Sequence, residues 1–327
     1  MTFVCCVESG GLEAQTVRMV KSLRLHGGRF ADAPVVAVTP RFGPPLSKNT
    51  VETFRSLNVI YIRRPRNNPC PWFKFLNKPL ALVQAEEIIS SEAICFLDSD
   101  LLIVKEPDQL CLLPTEDFLA FPVETKEMGT SGPGDPYEPL WQEFCRVVGI
   151  GIDDLPWVNT AETNERVRLY FNSGVFVYRR SSGFGKSYLD ICLQLLNSRI
   201  STRAEGYGEG LREMIGLGFS VVKLGLRWRA LPYSHNYVMT SMTHDAWYKE
   251  ELLREAKIVH YHDAMWPRFY PVFQKCMRST HPEVEGWLSP LGPLHNYAPS
   301  HWRLLSRILN DTRSRHAMAY RRSCSFV

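Results

Sequence analysis

The sequence predicts an α/β fold in which helices flank a mostly parallel central sheet, and three observations carry this prediction. Through the first hundred residues, short apolar runs rich in β-branched residues alternate with segments of helical periodicity. Clusters of Gly and Pro separate these segments, as turns require. The last apolar run of this half leads directly into two carboxylates. Alternating strands and helices favour a parallel sheet whose strand carboxyl ends share one edge, where ligands bind.

Each element is predicted from its own local pattern. Strands combine β-branched and apolar residues, and helices place apolar residues three or four positions apart. In the first half we predict strands at Thr2–Glu8, Pro34–Thr39, Asn58–Ile62 and Ala93–Leu97, and helices at Leu12–Leu25, after Pro44-Pro45 and at Phe75–Ser90. In the second half we predict strands at Leu169–Arg179, Phe219–Leu224, Arg229–Val238 and Lys257–His262, and helices at Pro139–Val148, Phe184–Arg199, Tyr207–Gly216 and Ser300–Tyr320.

The chain of 327 residues is long enough for one large domain or two smaller ones. We predict a single large domain over residues 1–298, followed by a basic helical tail over 299–327. Within the domain, 1–104 and 169–298 form two structured parts. Residues 124–168 form an irregular insertion rich in Gly and Pro, of the kind that often carries function.

Charge and cysteine content limit the classes of protein. The net charge of +4 is too small to indicate nucleic-acid binding. The basic tail is a solvated helix face or a contact with an anionic surface such as a membrane. Nine scattered cysteines without a CxxC pair favour a reducing compartment. Neither a signal peptide nor a membrane-spanning run is visible, so a cytoplasmic location is expected.

The motif Asp98-Ser99-Asp100 carries the clearest chemistry. An apolar strand ends in two carboxylates two residues apart, and a second apolar run follows. Neighbouring carboxylates repel each other unless a cation lies between them. Mg²⁺ and Mn²⁺ prefer oxygen ligands and share them with substrate phosphates. The alternative is that these carboxylates cap a turn, which is common for an isolated DxD.

Two later motifs support this interpretation. The strand beginning Phe171-Asn172-Ser173-Gly174 opens with small polar residues that allow a sugar to approach the backbone. A further strand ends in His260-Tyr261-His262, and a histidine there can supply a third protein ligand to a metal. Taken alone, the first of these motifs is also compatible with an ordinary strand start. The second is also compatible with two histidines that are hydrogen-bonded within the protein or exposed to solvent.

Together and in this order, the three motifs resemble the retaining GT-A glycosyltransferases related to glycogenin, galactinol synthase and the lipopolysaccharide galactosyl- and glucosyltransferases. The resemblance implies a GT-A (Rossmann-like) fold in which Asp98, Asp100 and His260 bind Mn²⁺ or Mg²⁺. It implies a nucleotide-sugar donor, by default a UDP-sugar, although a GDP-sugar is also compatible. Residues 1–104 would then be the nucleotide-binding half, 124–168 the acceptor side, and 169–298 the sugar and acceptor half.

The resemblance also assigns residues to roles. The catalytic group comprises Asp100, Asn172 and Glu209. Donor-binding residues are Val7, Glu8, Ser9, Lys78, Asp98, Ser99, Ser173 and Gly174. The insertion has no counterpart in the family, and our own expectation is that its Trp141, Trp157 and Tyr137 stack on the acceptor. The acceptor would be a hydroxyl of a glycan, a lipid-linked sugar, a metabolite or a peptide. Transfer would retain the anomeric configuration.

The sequence departs from the family pattern at two places. The segment Glu205–Gly210 stands where an Asp-Gln pair is usual, so Glu209 or Glu205 would replace the carboxylate that faces the sugar. No lysine follows His260 near Trp266, where the family has a diphosphate-binding lysine. Arg268 or the cluster of Arg63, Arg64 and Arg66 would supply that cation.

Other classes remain as alternatives. A sugar-nucleotide nucleotidyltransferase shares the fold type and the paired aspartates, but needs an early basic Gly-rich loop that Ser9-Gly10-Gly11 matches poorly. A non-catalytic scaffold that binds carbohydrate or nucleotide is also compatible, as is a metal hydrolase that uses His260, His262 and Asp263. The first strand lacks a GxGxxG run, which disfavours a dinucleotide-dependent oxidoreductase.

Overall fold

The structure is a computed structural model that describes residues 1–65, 68–204, 210–239 and 248–327. Its elements alternate between strand and helix through the first half of the chain. The strands are β1 Thr2–Cys6, β2 Val35–Thr39, β3 Val59–Arg63, β4 Ala93–Leu97, β5 Leu101–Ile103, β6 Phe118–Pro122, β7 Trp157–Asn159, β8 Arg166–Arg168, β9 Phe171–Arg179, β10 Ile200–Ser201, β11 Trp228–Ala230, β12 Tyr237–Val238, β13 Ile258–His260 and β14 Ser325–Phe326. The helices are α1 Gly11–His26, α2 Lys48–Ser56, α3 Asn77–Glu86, α4 Glu138–Val148, α5 Phe184–Asn197, α6 Leu211–Lys223, α7 Glu250–Glu255, α8 Tyr270–Thr280, α9 Pro282–Leu288 and α10 Arg303–Arg322.

The central sheet has seven strands in the order β11-β6-β9-β4-β1-β2-β3. All neighbouring pairs are parallel except those of β9, which runs antiparallel to both β4 and β6. A smaller sheet, β12-β13-β5, lies beside it. The predicted α/β fold with a mostly parallel sheet is therefore confirmed.

The sheet is covered on both faces, as its apolar strands require. One face carries a buried cluster around Phe96, Phe176 and Phe118, with helices α3 and α5 packed on it. The other face carries Val7, Leu97 and Val175, with α1 packed close to it. The central strands are therefore packed on both faces. This packing holds the ends of the strands in fixed positions at the edge of the sheet.

The sequence located most first-half elements to within a few residues. In the second half, the segment Phe219–Leu224 was assigned incorrectly. The predicted strand there is wrong, because most of this segment belongs to helix α6, which continues to Lys223. Phe219, Ser220 and Val221 are all buried, so the segment lacks the polar face that marks a helical period. A buried apolar run of this length does not distinguish a strand from a helix.

The insertion over residues 124–168 contains helix α4 and the antiparallel pair β7–β8. Trp141 is fully buried there, and its indole Nε1 donates to the carbonyl of Met128 at 2.9 Å. Its ring packs edge-to-face on Tyr170 and Phe219. The expectation that Trp141 and Tyr137 stack on an acceptor is wrong for this reason: both side chains are core residues of the insertion. Trp157 is half-buried beneath the guanidinium of Arg168, 4.2 Å from its ring centre.

The basic helix α10 contacts the body of the protein at several points. Tyr320 stacks on Trp72 with ring centres 4.4 Å apart, and its hydroxyl donates to the carbonyl of Leu196. Beyond the helix, β14 pairs with β10 in parallel. No helix within the described ranges is both long and apolar enough to cross a membrane.

Candidate metal and nucleotide-sugar site

The carboxyl ends of β1 and β4 and the start of β9 meet at one edge of the central sheet. Because β9 is antiparallel to β4, its first residues lie beside the last residues of β4. Leu97 pairs with Val175, and the amide of Asp98 donates to the carbonyl of Gly174 at 2.9 Å. The two motifs that are distant in sequence therefore become neighbours in space.

Asp100, His260 and His262 converge beside this edge. Their ligand atoms all lie within 4.8 Å of one another. One Asp100 oxygen lies 3.4 Å from His260 Nε2 and the other lies 3.8 Å from His262 Nδ1. The two imidazoles stack with centres 3.9 Å apart. One carboxylate and two imidazoles are a donor set that suits a divalent transition metal.

Three neighbours set the orientation of these ligands. His260 Nδ1 lies 3.1 Å from the side-chain oxygen of Asn236, which leaves Nε2 directed at Asp100. Such support from a second residue is usual for metal-ligating histidines. His262 has a φ of 48°, a left-handed conformation that costs free energy for a residue other than glycine. A Cβ at position 174 would lie 2.7 Å from His260 Cε1, so only glycine leaves room for the ring.

Electrostatics agree with this geometry. Burial raises the pKa of Asp100, but the adjacent His260 and His262 outweigh burial and hold it well below its usual range. Burial lowers the pKa of His260, and the Asp100 carboxylate more than offsets this. Burial and the nearby His260 lower the pKa of His262 to about 3. Asp100 is thus an anion and His262 a neutral imidazole at neutral pH, which are the states that bind a metal.

Asp98 lies in a second cluster, which Lys78 organises. The Lys78 ammonium donates to Asp98 Oδ2 at 2.8 Å and to Ser173 Oγ at 2.7 Å. It also lies 3.8 Å from the Glu213 carboxylate, to which Ser173 Oγ donates at 2.9 Å. The Tyr188 hydroxyl donates to the other Glu213 oxygen. Burial raises the pKa of both Asp98 and Glu213, and Lys78 opposes that effect.

Asn172 is held by hydrogen bonds on both sides of its amide. Its oxygen accepts from the amide of Gly174 at 2.9 Å, and its nitrogen donates to Glu124 at 3.1 Å. Burial raises the pKa of Glu124. Asn172 therefore has one fixed orientation before any ligand binds.

Just after β1, Glu8 forms a bidentate ion pair with Arg41. Arg41 Nε donates to Glu8 Oε1, and Arg41 Nη2 donates to Glu8 Oε2 at 2.7 Å. Asn77 also donates to Glu8 at 2.7 Å. Val7 is fully buried, and its carbonyl accepts from the hydroxyl of Thr39. Ser9 follows at the mouth of a pocket.

The structure brings most of the residues singled out from the sequence to this edge. Glu209 lies outside the described residues, as do Glu205 and Arg66. Ser99 is buried in the turn between β4 and β5. The other two arginines of the proposed cationic cluster have partners of their own, since Arg63 donates to the carbonyl of Gly43 and Arg64 pairs with Glu87.

Three residues of the site escaped the sequence analysis: Glu213, Glu124 and Arg41. Glu213 lies in the first turn of α6, and its helix was predicted to start earlier and to end before Phe219. A correct helix boundary would have placed Glu213 on the buried face of α6. Glu124 and Arg41 lie in loops directly after strands β6 and β2, which is the one signal that marks such positions.

A family model identifies the class of this protein. Residues 3–205 match the family model for the Rhodobacterales glycosyltransferase domain. The chain therefore belongs to that family and is a glycosyltransferase. No functionally curated protein matches the sequence.

Solved structures show the same fold. The bifunctional glycosyltransferase WbbM, in its apo form, is 14% identical with a TM-score of 0.51 over 87% of this chain and 50% of its own. This chain thus spans about half the length of WbbM. The galactosyltransferase LgtC, solved with donor and acceptor sugar analogues, is 13% identical with a TM-score of 0.50 over 93% of this chain and 99% of its own. The resemblance to GT-A glycosyltransferases is confirmed at the level of fold and enzyme class.

Proposed function

We propose that this protein is a metal-dependent glycosyltransferase that moves a sugar from a nucleotide-diphosphate sugar to an acceptor hydroxyl with retention of configuration. The convergence of Asp100, His260 and His262 within 4.8 Å carries the proposal. We proposed Asp98, Asp100 and His260 as metal ligands from the sequence. The geometry favours His262 as an additional ligand, with the Asp98 carboxylate turned toward Lys78.

The donor set fits the group it would hold. Two imidazoles favour Mn²⁺ over Mg²⁺, because Mg²⁺ prefers a shell of oxygen atoms. When bound, such a cation neutralises charge on a diphosphate leaving group. A UDP-sugar is the donor we propose first, and a GDP-sugar is the alternative.

The protein's own residues would position the donor. Lys78 fixes Asp98 and Ser173 by direct hydrogen bonds, which holds the edge rigid where the sugar would lie. Gly174 leaves the backbone open to close approach. We assign Asn172 and Glu209 to orientation of the donor sugar, and Asp100 to the catalytic metal. Prepositioned polar groups of this kind lower the barrier without reorganising during the reaction.

The assay is a panel of nucleotide sugars incubated with and without Mn²⁺, in which released nucleoside diphosphate is measured. We expect Mn²⁺-dependent release, and loss of both Mn²⁺ binding and release in folded Asp100→Asn. Asp32→Asn is the matched control, because Asp32 is exposed and remote from the cluster in sequence and fold. Normal turnover in Asp100→Asn would refute the proposal. Release of pyrophosphate would indicate a nucleotidyltransferase, and binding without release would indicate a scaffold.

For the acceptor we propose a site on the side of residues 124–168, and a hydroxyl carried by a glycan, a lipid-linked sugar, a metabolite or a peptide. Helix α10 offers a link to a membrane-borne acceptor. Its outward face combines exposed Leu304, Ile308 and Met318 with several arginines, a pattern that favours anionic lipid surfaces. Co-sedimentation with anionic but not neutral vesicles tests this contact, and equal recovery with both would oppose it.

A further inference from the structure

A pocket lies between the carboxyl edge of the sheet and helix α10. Glu8, Ser9 and Arg41 line it from the loops after β1 and β2. Ser306, Asn310 and Arg313 line it from α10. One wall of this pocket therefore comes from the helix that follows the main domain in sequence.

Two buried polar atoms near this pocket lack a partner. Among the described residues, Ser9 Oγ and Asn77 Oδ1 are buried and make no hydrogen bond. The same Asn77 side chain donates to Glu8, which lines the pocket. Buried polar groups are nearly always satisfied by protein, water or ligand. A ligand with hydroxyl groups, such as a ribose, would satisfy both.

The pocket is connected to the cluster around Lys78 and Asp98 through two consecutive residues. Asn77 binds Glu8, and the next residue, Lys78, binds Asp98. Adjacent Cα atoms are about 3.8 Å apart, so these contacts place the pocket one short step from the edge that carries Asp98 and Asp100.

Helix α10 is held in place at the pocket itself. Arg313 Nη2 donates to the carbonyl of Phe42 at 2.6 Å. The far end of the helix is fixed by Tyr320 on Trp72. The wall is thus a defined surface, with Arg313 on the side of α10 that faces the body and Arg315 on the exposed side.

The charges in the pocket leave one guanidinium uncompensated. Glu8 is engaged by Arg41 through both oxygens. Arg313 forms no ion pair within the described part of the chain. Burial lowers the pKa of Arg313 and the nearby Arg41 lowers it further, while Glu8 offsets only part of this lowering. A guanidinium in this setting is stabilised by a ligand that presents hydrogen-bond acceptors.

We propose that α10 completes the nucleoside subsite and that Arg313 selects nucleobases by their exocyclic carbonyl oxygen. Uracil and guanine carry an oxygen at the position where cytosine and adenine carry an amino group. A guanidinium donates to the oxygen and is repelled by the amino group. This inference rests on the proposed function, since the ligand is the nucleoside part of the donor.

The experiment measures Kd by calorimetry for two pairs of probes, UDP with CDP and GDP with ADP, in the presence of Mn²⁺. The members of each pair share ring size and differ at the exocyclic group. The variants are Arg313→Ala and the matched control Arg315→Ala, which removes the same charge from the exposed side of the same helix. Arg313→Lys keeps the charge without the planar fork, and circular dichroism checks that α10 remains folded.

We expect the wild type to prefer UDP over CDP, or GDP over ADP, by about tenfold or more, as a charged hydrogen bond implies. In Arg313→Ala the ratio of the two Kd values within each pair should fall close to one, whereas Arg315→Ala should keep the wild-type ratio. Arg313→Lys should keep only part of it. An unchanged preference in Arg313→Ala, or no preference in the wild type, overturns the inference and leaves the glycosyltransferase proposal intact. Failure of the wild type to bind any of the four probes overturns both.

Discussion

Replacing Lys78 by methionine should strongly destabilise the protein, because this ammonium is the shared cation of two buried carboxylates. It lies 2.8 Å from Asp98 and 3.8 Å from Glu213, whose side chain is only 1% exposed. With an effective dielectric constant of ~20, Coulomb's law gives attractions of roughly 6 and 4 kcal/mol for the two pairs. Desolvation of the ammonium and repulsion between the carboxylates offset part of this sum.

Protonation limits the loss from Glu213, the more deeply buried carboxylate, whose side chain is 1% exposed against 20% for Asp98. A buried carboxyl without its cation takes up a proton instead of remaining charged. Keeping Glu213 protonated at pH 7.5, three pH units above the ordinary pKa of 4.5, costs about 4 kcal/mol at about 1.4 kcal/mol per pH unit. We therefore expect Lys78→Met to lower the free energy of unfolding by about 3 to 4 kcal/mol at pH 7.5.

The same reasoning gives the pH dependence. In the variant, the folded-state pKa of Glu213 is raised above its unfolded value, so the deficit is greatest at high pH and is lost as the pH falls. The difference from wild type should shrink by about 1.4 kcal/mol per pH unit while the variant binds one more proton. Urea unfolding in EDTA between pH 8 and pH 5.5 measures it. Lys74→Met is the control, since Lys74 is exposed on the same segment.

A deficit below about 1 kcal/mol at pH 7.5, or one that grows as the pH falls, would refute this account of the cluster. The first result would mean that water or another cation replaces Lys78. The second would mean that the folded variant binds fewer protons than the folded wild type, the opposite of the proton uptake expected at Glu213.

Three further predictions concern the metal cluster and the insertion. Gly174→Ala should weaken Mn²⁺ binding at least about tenfold in calorimetry, because the new Cβ would lie 2.7 Å from His260 Cε1 and displace the ring. Disturbing the orientation of a metal-binding histidine typically costs about tenfold or more in affinity. Unchanged affinity would show that the His260 ring does not bind the metal. Mn²⁺ affinity should fall as the pH is lowered through the pKa of His260, which Asp100 raises despite burial. The expected fall is about tenfold per pH unit, because the metal displaces one proton. An affinity that stays constant between pH 8 and pH 6 would count against His260 as a ligand. Trp141→Ala should lower the free energy of unfolding by about 3 to 5 kcal/mol, because Trp141 is fully buried. Nucleotide affinity should stay unchanged. A selective loss of acceptor turnover would instead indicate that Trp141 contacts the acceptor.

The sequence predicted the sheet well because its strands are short, apolar and bounded by turn residues. The predicted strand Ala93–Leu97 is identical with β4, and Asp98-Ser99-Asp100 follows it at the carboxyl end of that strand. The pattern could not reveal which carboxylate faces which partner. Asp98 turns to Lys78 and Asp100 to the histidines, a choice made by packing between elements distant in sequence.

The failures have a common physical cause. Trp141 belongs to a type of residue that both cores and sugar sites use, and burial alone decides between them. Phe219 lies in a stretch of α6, residues 215–221, that is buried on all sides, so periodicity gives no signal there. The role of α10 at the pocket depends on a contact between Arg313 and Phe42, and no local pattern encodes such a contact.

The reversed strand β9 has a consequence for the order in which the protein assembles. Strands β1, β2 and β3 pair over the shortest stretches of sequence, as Phe3 with Val35 and Val35 with Val59. By contrast, Thr2 meets Ile94 of β4, and Leu97 meets Val175 of β9, only after long loops have closed. Closing a long loop costs entropy before any contact repays it, which slows such pairings. Asp100, Gly174 and His260 therefore all lie on or beside strands that pair late, after β1, β2 and β3 have come together. We expect pulse-labelled hydrogen exchange during refolding to protect β1 and β2 before β9, so that metal affinity appears only in the last kinetic phase.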